Sequence, residues 1–483
     1  MGEDGAFLQM RPEGRAATPV QGSRSSRDRG AGGIPDDLPV MDYRTVGRHY
    51  TEKSAYVVYD GLVYDITEFL HLHPGGKSII AAALGTDITE TLDSFHDVHV
   101  SNWIRSPQFR NANGIRVVGV LDHNLDGFNR IGHSEYQSRR EYRRPDPMGD
   151  ELRREVMGFL RRARLPVKKT PAECLLLLAL FYGLYGTAVF MAFIEGSPLC
   201  CLLMGPVATF MAVNVGHTVM HGGFSNSRII NLLGRGLWDA GGYASSCWDI
   251  EHQGHHQAPH TTIDLQTAGS TGMRFFEHQE YKWFHRYQMF YMWLAFVFYS
   301  PVSWVMHSYK TLICYPSVLP SEKIMHVGFK LFGFVLPITM SFYLFGFRTA
   351  FAHLLLFAVS MSYFSLFTLF IQHEDSYLPE HENEPWSVRQ VTTSVTWHSS
   401  SRLFEWLFGY FNYHTEHHLF PGLNPALYPK IQPIVRSICE KYGVRYRYIS
   451  YAELVGSQVK AWRKYAAWSP AEMPARAGNR ALD

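Results

Sequence analysis

The chain has 483 residues, of which 45 are lysine or arginine and 43 are aspartate or glutamate. The net charge of +2 excludes the large basic excess that is typical of nucleic-acid-binding proteins. Only 18% of the residues are charged and 46% are apolar, which excludes a wholly disordered chain and favours contact with lipid or a large core.

The first segment, residues 1–39, is rich in glycine, arginine, serine and proline and has almost no apolar periodicity. We expect a disordered tail, because the segment lacks the apolar core of a signal peptide and carries acidic residues that argue against a transit peptide. Residues 40–125 then predict a small soluble domain with a net charge of −3. Its β-rich segments 55–59 and 62–65 flank Asp60 and Gly61, which signal a hairpin turn.

A histidine in a proline- and glycine-rich motif, His73-Pro74-Gly75-Gly76, lies in the middle of this domain. With the segments 64–69 and 85–89 around it, the motif resembles the haem-binding signature of cytochrome b5. The resemblance implies a haem b held by two imidazoles, which leave no axial position open to O2. His73 is the first implied ligand, and His96 is the second, with His99 as the alternative.

A basic linker, residues 126–169, comes next. Between Arg139 and Lys169 it has eleven basic and five acidic residues, and it ends directly before an apolar block, where positive-inside loops lie. Five apolar blocks have about the 20 residues needed to cross ~30 Å of hydrocarbon. They are 173–193, 197–215, 286–306, 326–346 and 350–371. The first two and the last two predict tight helical hairpins, the second with its turn near Gly346.

The 24 histidines concentrate in three clusters. One has the spacing HxxxH and two have the spacing HxxHH, which on a helix directs the imidazoles to one face. The clusters are His217 and His221; His252, His255 and His256; and His414, His417 and His418. Neutral imidazole suits transition metals such as iron, zinc and copper. Eight histidines exceed the needs of one four-coordinate zinc and suffice for two six-coordinate irons.

One shared site requires all three clusters to lie on the same side of a membrane. The chain must then cross an even number of times between His256 and His414, although three apolar blocks lie between them. We expect 286–306 to lie at the interface, because Gln288, Ser300 and Pro301 interrupt it. Four spans remain, and the charge rule places both termini and all clusters in the cytosol.

Further candidates lie close to the clusters in sequence. His373 directly follows the last apolar block and is a predicted ninth ligand, and His260 is a weaker candidate. Asp249, Glu374 and Glu416 are candidate acceptors for imidazole N–H groups.

The order, spacing and placement of the clusters resemble those of the membrane fatty-acid desaturase and hydroxylase superfamily over residues 165–450. The resemblance implies a non-haem di-iron centre that activates O2 and removes hydrogen from an unactivated acyl C–H bond, with the eight clustered histidines as catalytic metal ligands. Together with the haem domain, the chain resembles the cytochrome b5-fusion, or front-end, desaturases. It departs from them at His414, where they usually carry glutamine, and this weakens any inference about double-bond position.

The predicted protein is therefore multidomain. A small α+β cytochrome b5-like domain precedes an all-α integral membrane desaturase domain, residues 170–450, with four transmembrane helices and a cytosolic cap; 451–483 is a C-terminal helix end and tail. The resemblance implies a cis double bond in a long acyl chain, carried on lipid or CoA. It also implies O2, an NADH-dependent cytochrome b5 reductase and the endoplasmic reticulum membrane, with a plastid membrane as the second location.

Three alternative functions remain open. The same irons could serve a sphingoid-base or ceramide desaturase, or a fatty-acyl hydroxylase in which oxygen returns to the carbon. The chain could also be a non-catalytic, membrane-anchored haem electron carrier, with the histidines structural or bound to zinc.

Overall fold

The computed structural model describes residues 38–73, 80, 83–89, 92, 98–121, 127–131, 134–138, 146–257, 259–260, 272–274, 281–315, 318–373, 384–398 and 401–467. Several sequence predictions fall outside these residues. They concern nearly all of the N-terminal tail, the residues Pro74 to Gly76 of the haem motif, His96, Glu374 and the tail beyond residue 467.

A five-stranded sheet forms the framework of the N-terminal α+β region. Its strands β1 to β5 are Val40–Met41, Tyr50–Thr51, Ser54–Tyr59, Leu62–Asp65 and Arg116–Leu121, in the order β1-β5-β4-β3-β2. The predicted hairpin between β3 and β4 is confirmed: Asp60 and Gly61 have φ values of 53° and 76°, the positive pair that a two-residue turn of type I′ requires. The accompanying helices α1 to α3 are Tyr43–Gly47, Val98–Arg105 and Pro107–Ala112.

The stretch predicted as a linker, 126–169, contains regular structure. Strands β6 (Gly127–Ile131) and β7 (Ser134–Ser138) form an antiparallel hairpin, and helix α4 (Pro147–Arg162) follows. Apolar residues recur at helical spacing along one face of α4, so that this face is buried against the C-terminal part of the chain. Helix α4 is therefore a packed element of the structure and not an extended linker.

The first predicted transmembrane hairpin is confirmed as a pair of packed apolar helices. Helix α5 (Pro171–Phe193) begins with a capping box between Thr170 and Glu173. Helix α6 (Pro198–Met211) continues through a π-turn, Ala212–Gly216, into α7 (His217–Met220). Both stretches, Pro171–Phe193 and Pro198–Met220, are long and apolar enough to cross a membrane.

The middle apolar block, 286–306, is not one straight helix. Helices α8 (Arg228–Ala240) and α9 (Ser245–Gln257) precede it, and α10 (Gln288–Val297) and α11 (Tyr299–Tyr309) form it. The helical stretches that contain α10 and α11 are bent by 64° relative to each other. The predicted position of this block at the membrane interface stays a prediction.

The second hairpin lies within a helical stretch of 50 residues, Pro320–Leu369, which includes α12 (Pro320–Lys330) and α13 (Leu336–Leu369). Gly346 interrupts α13 with φ 73° and ψ 171°. Phe334 and Phe357, on opposite sides of Gly346, have ring centroids 6.2 Å apart. A straight helix would separate them by more than ~30 Å, so the chain reverses here, and the predicted turn near Gly346 is confirmed.

The remaining elements form a compact cap around the histidine clusters. They are α14 (Trp386–Thr393), β8 (Thr396–His398), α15 (Arg402–Leu407), α16 (His414–Leu419), α17 (Tyr428–Lys441), β9 (Tyr448–Ser450) and α18 (Tyr451–Ala467). Strands β8 and β9 pair in parallel, and α17 packs on α4. The cap therefore joins segments that are distant in sequence at one end of the apolar helices.

Candidate metal centre

The first histidine cluster lies at the end of an apolar helix, directly after the π-turn. Such turns change the helical register and are frequent at functional sites. Gly216 permits close packing of α8, because a Cβ at this position would lie 2.7 Å from the ring of Trp238. The π-turn and this contact fix the position of His217 and His221, which are both buried.

The second cluster lies on α9, whose first turn is anchored by a carboxylate. Asp239 accepts hydrogen bonds from the main-chain N–H of Ser245 (2.8 Å) and from its hydroxyl (3.1 Å). Asp249, one turn before His252, forms a buried ion pair with Arg235 of α8. The prediction that Asp249 accepts an imidazole N–H is therefore wrong: the carboxylate binds the guanidinium, which is the stronger donor within reach.

The third cluster lies on the short helix α16. Glu416 in this helix accepts hydrogen bonds from the hydroxyls of Thr396 (2.8 Å) and Tyr446 (2.6 Å). Its predicted role as an imidazole acceptor is wrong as well, because side chains one or two positions apart on a helix point in different directions. Burial raises the pKa of Glu416 to about 7.

Five imidazoles from all three clusters meet at one point. Each of the five offers one nitrogen, and these nitrogens all lie within 4.8 Å of one another. The five residues are His217, His221, His252, His256 and His417. The Nε2 atom of His217 lies 3.0 Å from that of His252 and 3.2 Å from that of His221. The Nε2 atoms of His252 and His256 are 3.2 Å apart. We refer to these five residues as the first group.

Three further imidazoles, His255, His373 and His418, meet beside the first group. The Nε2 atom of His373 lies 2.9 Å from that of His255 and 3.0 Å from that of His414, which completes a set of four. We refer to these four residues as the second group. The rings of His256 and His418 are stacked with centroids 4.2 Å apart, so the two groups adjoin.

The surroundings of five of these imidazoles favour the neutral form. Burial lowers the pKa of His256, His373, His414, His417 and His418 well below the ordinary value, and the neighbouring imidazoles act in the same direction. A neutral imidazole carries the lone pair that a metal ion binds. The cluster is thus suited to take up cations without first losing protons.

The donor set fits transition-metal ions. The Nε2 atoms of His417 and His418 are buried and have no hydrogen-bond partner, which is costly unless another ligand satisfies them. Two nitrogens in adjacent positions of one octahedral ion, each ~2.1 Å from it, are about 3 Å apart. The Nε2–Nε2 separations of 2.9–3.2 Å within the two groups match this value.

Several polar partners of these histidines have no motif in the sequence. Gln390 Oε1 lies 2.8 Å from Nδ1 of His418, and the main-chain oxygen of Thr393 lies 3.0 Å from Nδ1 of His373. The hydroxyl of Tyr428 lies 3.3 Å from Nδ1 of His417. An amide, a carbonyl and a phenol have no characteristic spacing, so only tertiary structure reveals them.

His260 lies next to the second group. It is 3% exposed, has the left-handed φ of 56°, and its ring centroid is 5.0 Å from that of His373. It is outside the two sets of converging nitrogens, and its role as a ligand stays a prediction.

Another set of potential ligands, Cys247, Glu251 and His307, lies apart from both groups. Lys310 forms an ion pair with Glu251, and the hydroxyl of Tyr315 donates a hydrogen bond to it at 3.0 Å. The charge of this carboxylate is already neutralised, and we assign no metal ion to this set.

A narrow apolar cavity lies between the helices close to the first group. Its walls include Ala212 of the π-turn, Trp238 of α8, and Met361 of α13. Trp248 also lines the cavity, and its indole stacks on the ring of His252 with centroids 4.9 Å apart. The cavity wall and the histidine centre are thus in direct contact.

Of the haem motif, the structure describes His73. His73 is half-buried, and its ring meets Phe69 edge-on with centroids 5.9 Å apart. Phe69 contacts Phe109, which stacks on Trp103, and Trp103 is 46% exposed. An imidazole beside an open aromatic surface fits one side of a haem site. His99 belongs to α2, whereas His96 lies outside the described residues.

Comparison with known families gives two matches. The family described as fatty acid desaturase matches residues 192–450, and the family described as cytochrome b5-like heme/steroid binding domain matches residues 42–137. The first range includes all nine histidines of the two groups, and the second includes His73.

Individual proteins are similar over much of the chain. A sn-1 linoleoyl-lipid 6-desaturase of Arthrospira platensis is 26% identical over 61% of this chain and 86% of its own length. A probable Delta(5) fatty acid desaturase C of Dictyostelium discoideum is 22% identical over 84% of this chain and 91% of its own length. A Delta(8)-fatty-acid desaturase 1 of Arabidopsis thaliana is 22% identical over 84% and 88%, respectively.

Proposed function

Because the chain belongs to the fatty acid desaturase family and carries a fused cytochrome b5-like domain, we propose that its two histidine groups hold two iron ions. The iron pair would supply the oxidising chemistry: O2, two electrons and two protons convert one –CH2–CH2– unit of an acyl chain to –CH=CH– and two waters. The single observation that carries this proposal is the convergence of nine imidazoles in two adjoining groups.

The residues have separate tasks in this proposal. His217, His221, His252, His256 and His417 hold one iron, and the second group, His255, His373, His414 and His418, holds the other. His73 and His96 would hold haem b, which would supply the electron-transfer chemistry between an NADH-dependent cytochrome b5 reductase and the irons. A haem held by these two imidazoles would supply electron transfer, and the irons would supply the chemistry with O2.

The apolar cavity is the proposed place for part of the acyl chain. Its aromatic and aliphatic walls favour a methylene chain and exclude water from the oxidised carbons. Trp248 forms both a wall of the cavity and a contact of His252, so a chain lying there would pass beside the first iron.

The membrane orientation follows from the same convergence. The first and third clusters meet at one site although the hairpin of α12 and α13 lies between them in sequence, so the chain crosses an even number of times. We propose that this side faces the cytosol, and the basic residues before α5 support this orientation. We propose the endoplasmic reticulum membrane, where a reductase and lipid substrates are accessible from that side.

The substrate is a long-chain acyl group on lipid or CoA. Names of similar proteins refer to positions 5, 6 and 8, so they agree on the reaction and differ on the position of the double bond. The position in this protein depends on how far the chain enters the cavity before it reaches the irons.

Lipid analysis tests the proposal. The full chain is expressed in a host that lacks the product, and fatty acids are analysed by gas chromatography and mass spectrometry after positional derivatisation. We expect a new cis double bond with the wild type and none with His255→Ala, whose haem spectrum stays intact. A new hydroxyl group would identify a hydroxylase, and iron-free protein without any product would identify an electron carrier.

A further inference from the structure

Helix α14 meets the histidine centre through polar groups. Gln390 is fully buried at the contact: its Oε1 lies 2.8 Å from Nδ1 of His418, and its Nε2 donates to the main-chain oxygen of His256 at 2.9 Å. One turn later, the main-chain oxygen of Thr393 lies 3.0 Å from Nδ1 of His373. A single helix thus contacts one histidine of the second cluster, one of the third cluster and the separate His373.

These contacts determine which nitrogen of His418 carries the proton. The main-chain oxygen of His256 can only accept, so the end of the Gln390 amide that faces it is the NH2 group. The other end is then the carbonyl oxygen, which also only accepts, and Nδ1 of His418 must donate to it. In a neutral imidazole protonated at Nδ1, the lone pair is on Nε2.

The Nε2 atom of His418 is the atom that needs a partner. It is buried, makes no hydrogen bond, and the residue converges with His255 and His373. The carbonyl of Thr393 imposes the same tautomer on His373, because a carbonyl oxygen also only accepts. Helix α14 therefore turns the lone pairs of two imidazoles towards one point.

The position of α14 does not depend on the histidines alone. Asp146, the N-cap of α4, accepts hydrogen bonds from the main-chain N–H (2.9 Å) and the hydroxyl (2.5 Å) of Ser387 in the first turn of α14. Trp386 donates to the main-chain oxygen of His256 at 3.3 Å. The helix is thus anchored at its first turn, and Gln390 extends from a fixed support.

From these contacts, and resting on the proposed function, we infer that Gln390 is a positioning residue that holds His418 in the tautomer whose Nε2 binds the iron of the second group. Its amide also ties the third cluster to the second through His256. Outer partners of metal-bound histidines typically change metal affinity or activity about 10- to 100-fold.

The test uses purified, full-length, haem-loaded protein in detergent, and it measures non-haem iron per chain and the 57Fe Mössbauer spectrum. Gln390→Met keeps the length of the side chain but removes both polar ends. We expect it to lose iron selectively from the second group, so that about half of the non-haem iron and one component of the spectrum disappear, with a 10- to 100-fold loss of activity. Gln390→Glu keeps an acceptor for Nδ1 of His418 and is expected to retain both irons.

The matched control is Gln288→Met. Gln288 is equally buried and also uses both ends of its amide, but its partners are the main-chain N–H and oxygen of Arg274. A folded control with full iron shows that loss of a buried glutamine is not in itself the cause.

Two outcomes overturn the inference. One is Gln390→Met with unchanged iron and an unchanged spectrum. The other is a folded Gln390→Glu protein that has lost its iron, and this second result decides the question if Gln390→Met does not fold. A wild-type protein without non-haem iron would instead overturn the proposed function, so the two failures are distinguishable.

Discussion

The two histidine groups differ in how the chain fixes their imidazoles. In the first group, four members belong to helices and His221 directly follows one, and the contacts between Nε2 atoms, at 3.0–3.2 Å, join imidazoles of the same group. In the second group, His373 lies after the last apolar helix, in a short bridge to Ser394, and outer polar groups orient the rings. Helical spacing alone pairs His217 with His221 and His252 with His256, and the cap adds His417, whereas the second group takes His414, His418 and the contact that orients His373 from the cap.

This difference has a consequence for the effect of mutations. A truncated member of the first group leaves neighbours that face an empty position with their lone pairs, and the long contact from Tyr428 to His417 can compensate only in part. In the second group, Gln390 and Thr393 hold part of the arrangement when another member is missing. We therefore expect the largest effects in the first group.

His252→Ala should have the largest effect. His252 lies within 3.2 Å of both His217 and His256, so its loss removes the central member of the first group. We expect no detectable desaturated product, a larger effect than the about 100-fold typical of outer partners. Gas chromatography of host lipids measures this result, and His398→Ala, an exposed histidine outside both groups, is the control. Wild-type product levels in His252→Ala would contradict the assignment of the first group.

His373→Ala should have the second largest effect and should show whether the two histidine groups bind iron independently. The Nε2 atom of His373 lies 2.9 Å from that of His255 and 3.0 Å from that of His414. The substitution therefore removes the imidazole that connects these two members of the second group. We expect about half of the non-haem iron to remain, since the first group keeps all five members. Iron analysis together with the Mössbauer spectrum checks this. Loss of both irons would show that the two groups are one cooperative site.

The sequence could predict the first group more completely than the second. The spacing of His217 and His221, and of the histidines of α9, follows from the helical repeat, and the chain brings these residues together as expected. The length of the apolar blocks and the short segments between them predict the two apolar hairpins, including the turn at Gly346. These features are local in sequence, so a short stretch contains all the information; the roles of the histidines as ligands stay predictions.

The outer contacts could not be predicted, because they depend on packing between distant segments. Gln390 precedes His418 by a long stretch and reaches it only because α14 lies against α16 in the cap. Asp249 and Glu416 were expected to bind imidazoles because they are close in sequence, but Arg235 and Tyr446 reach them first through the tertiary fold. Proximity along the chain is therefore a poor guide to the outer hydrogen-bond partners of these buried histidines.

His73→Ala should have a smaller effect, which depends on the electron donor, and should separate the haem domain from both histidine groups. We expect loss of the haem absorbance with the full non-haem iron content, because His73 lies in the N-terminal domain and belongs to neither set of converging nitrogens. Tethering supplies the donor at about millimolar concentration, so product formation falls and recovers when free cytochrome b5 is added. An unchanged absorbance spectrum would show that the haem ligand was wrongly identified.

Tyr428→Phe should have the smallest effect and should test whether the first group also relies on an outer partner. The Tyr428 hydroxyl donates to the main-chain oxygen of Phe420 at 3.3 Å, so it accepts from Nδ1 of His417, also at 3.3 Å. Both bonds are long, and one hydrogen bond is worth about 0.5–1.5 kcal/mol, which corresponds to a two- to tenfold loss of iron affinity. Competition with a chelator measures this loss, and Tyr442→Phe, at an exposed tyrosine that binds Glu151, is the control. A loss as large as that expected for Gln390→Met would remove the distinction between the two groups, because both would then depend equally on the cap.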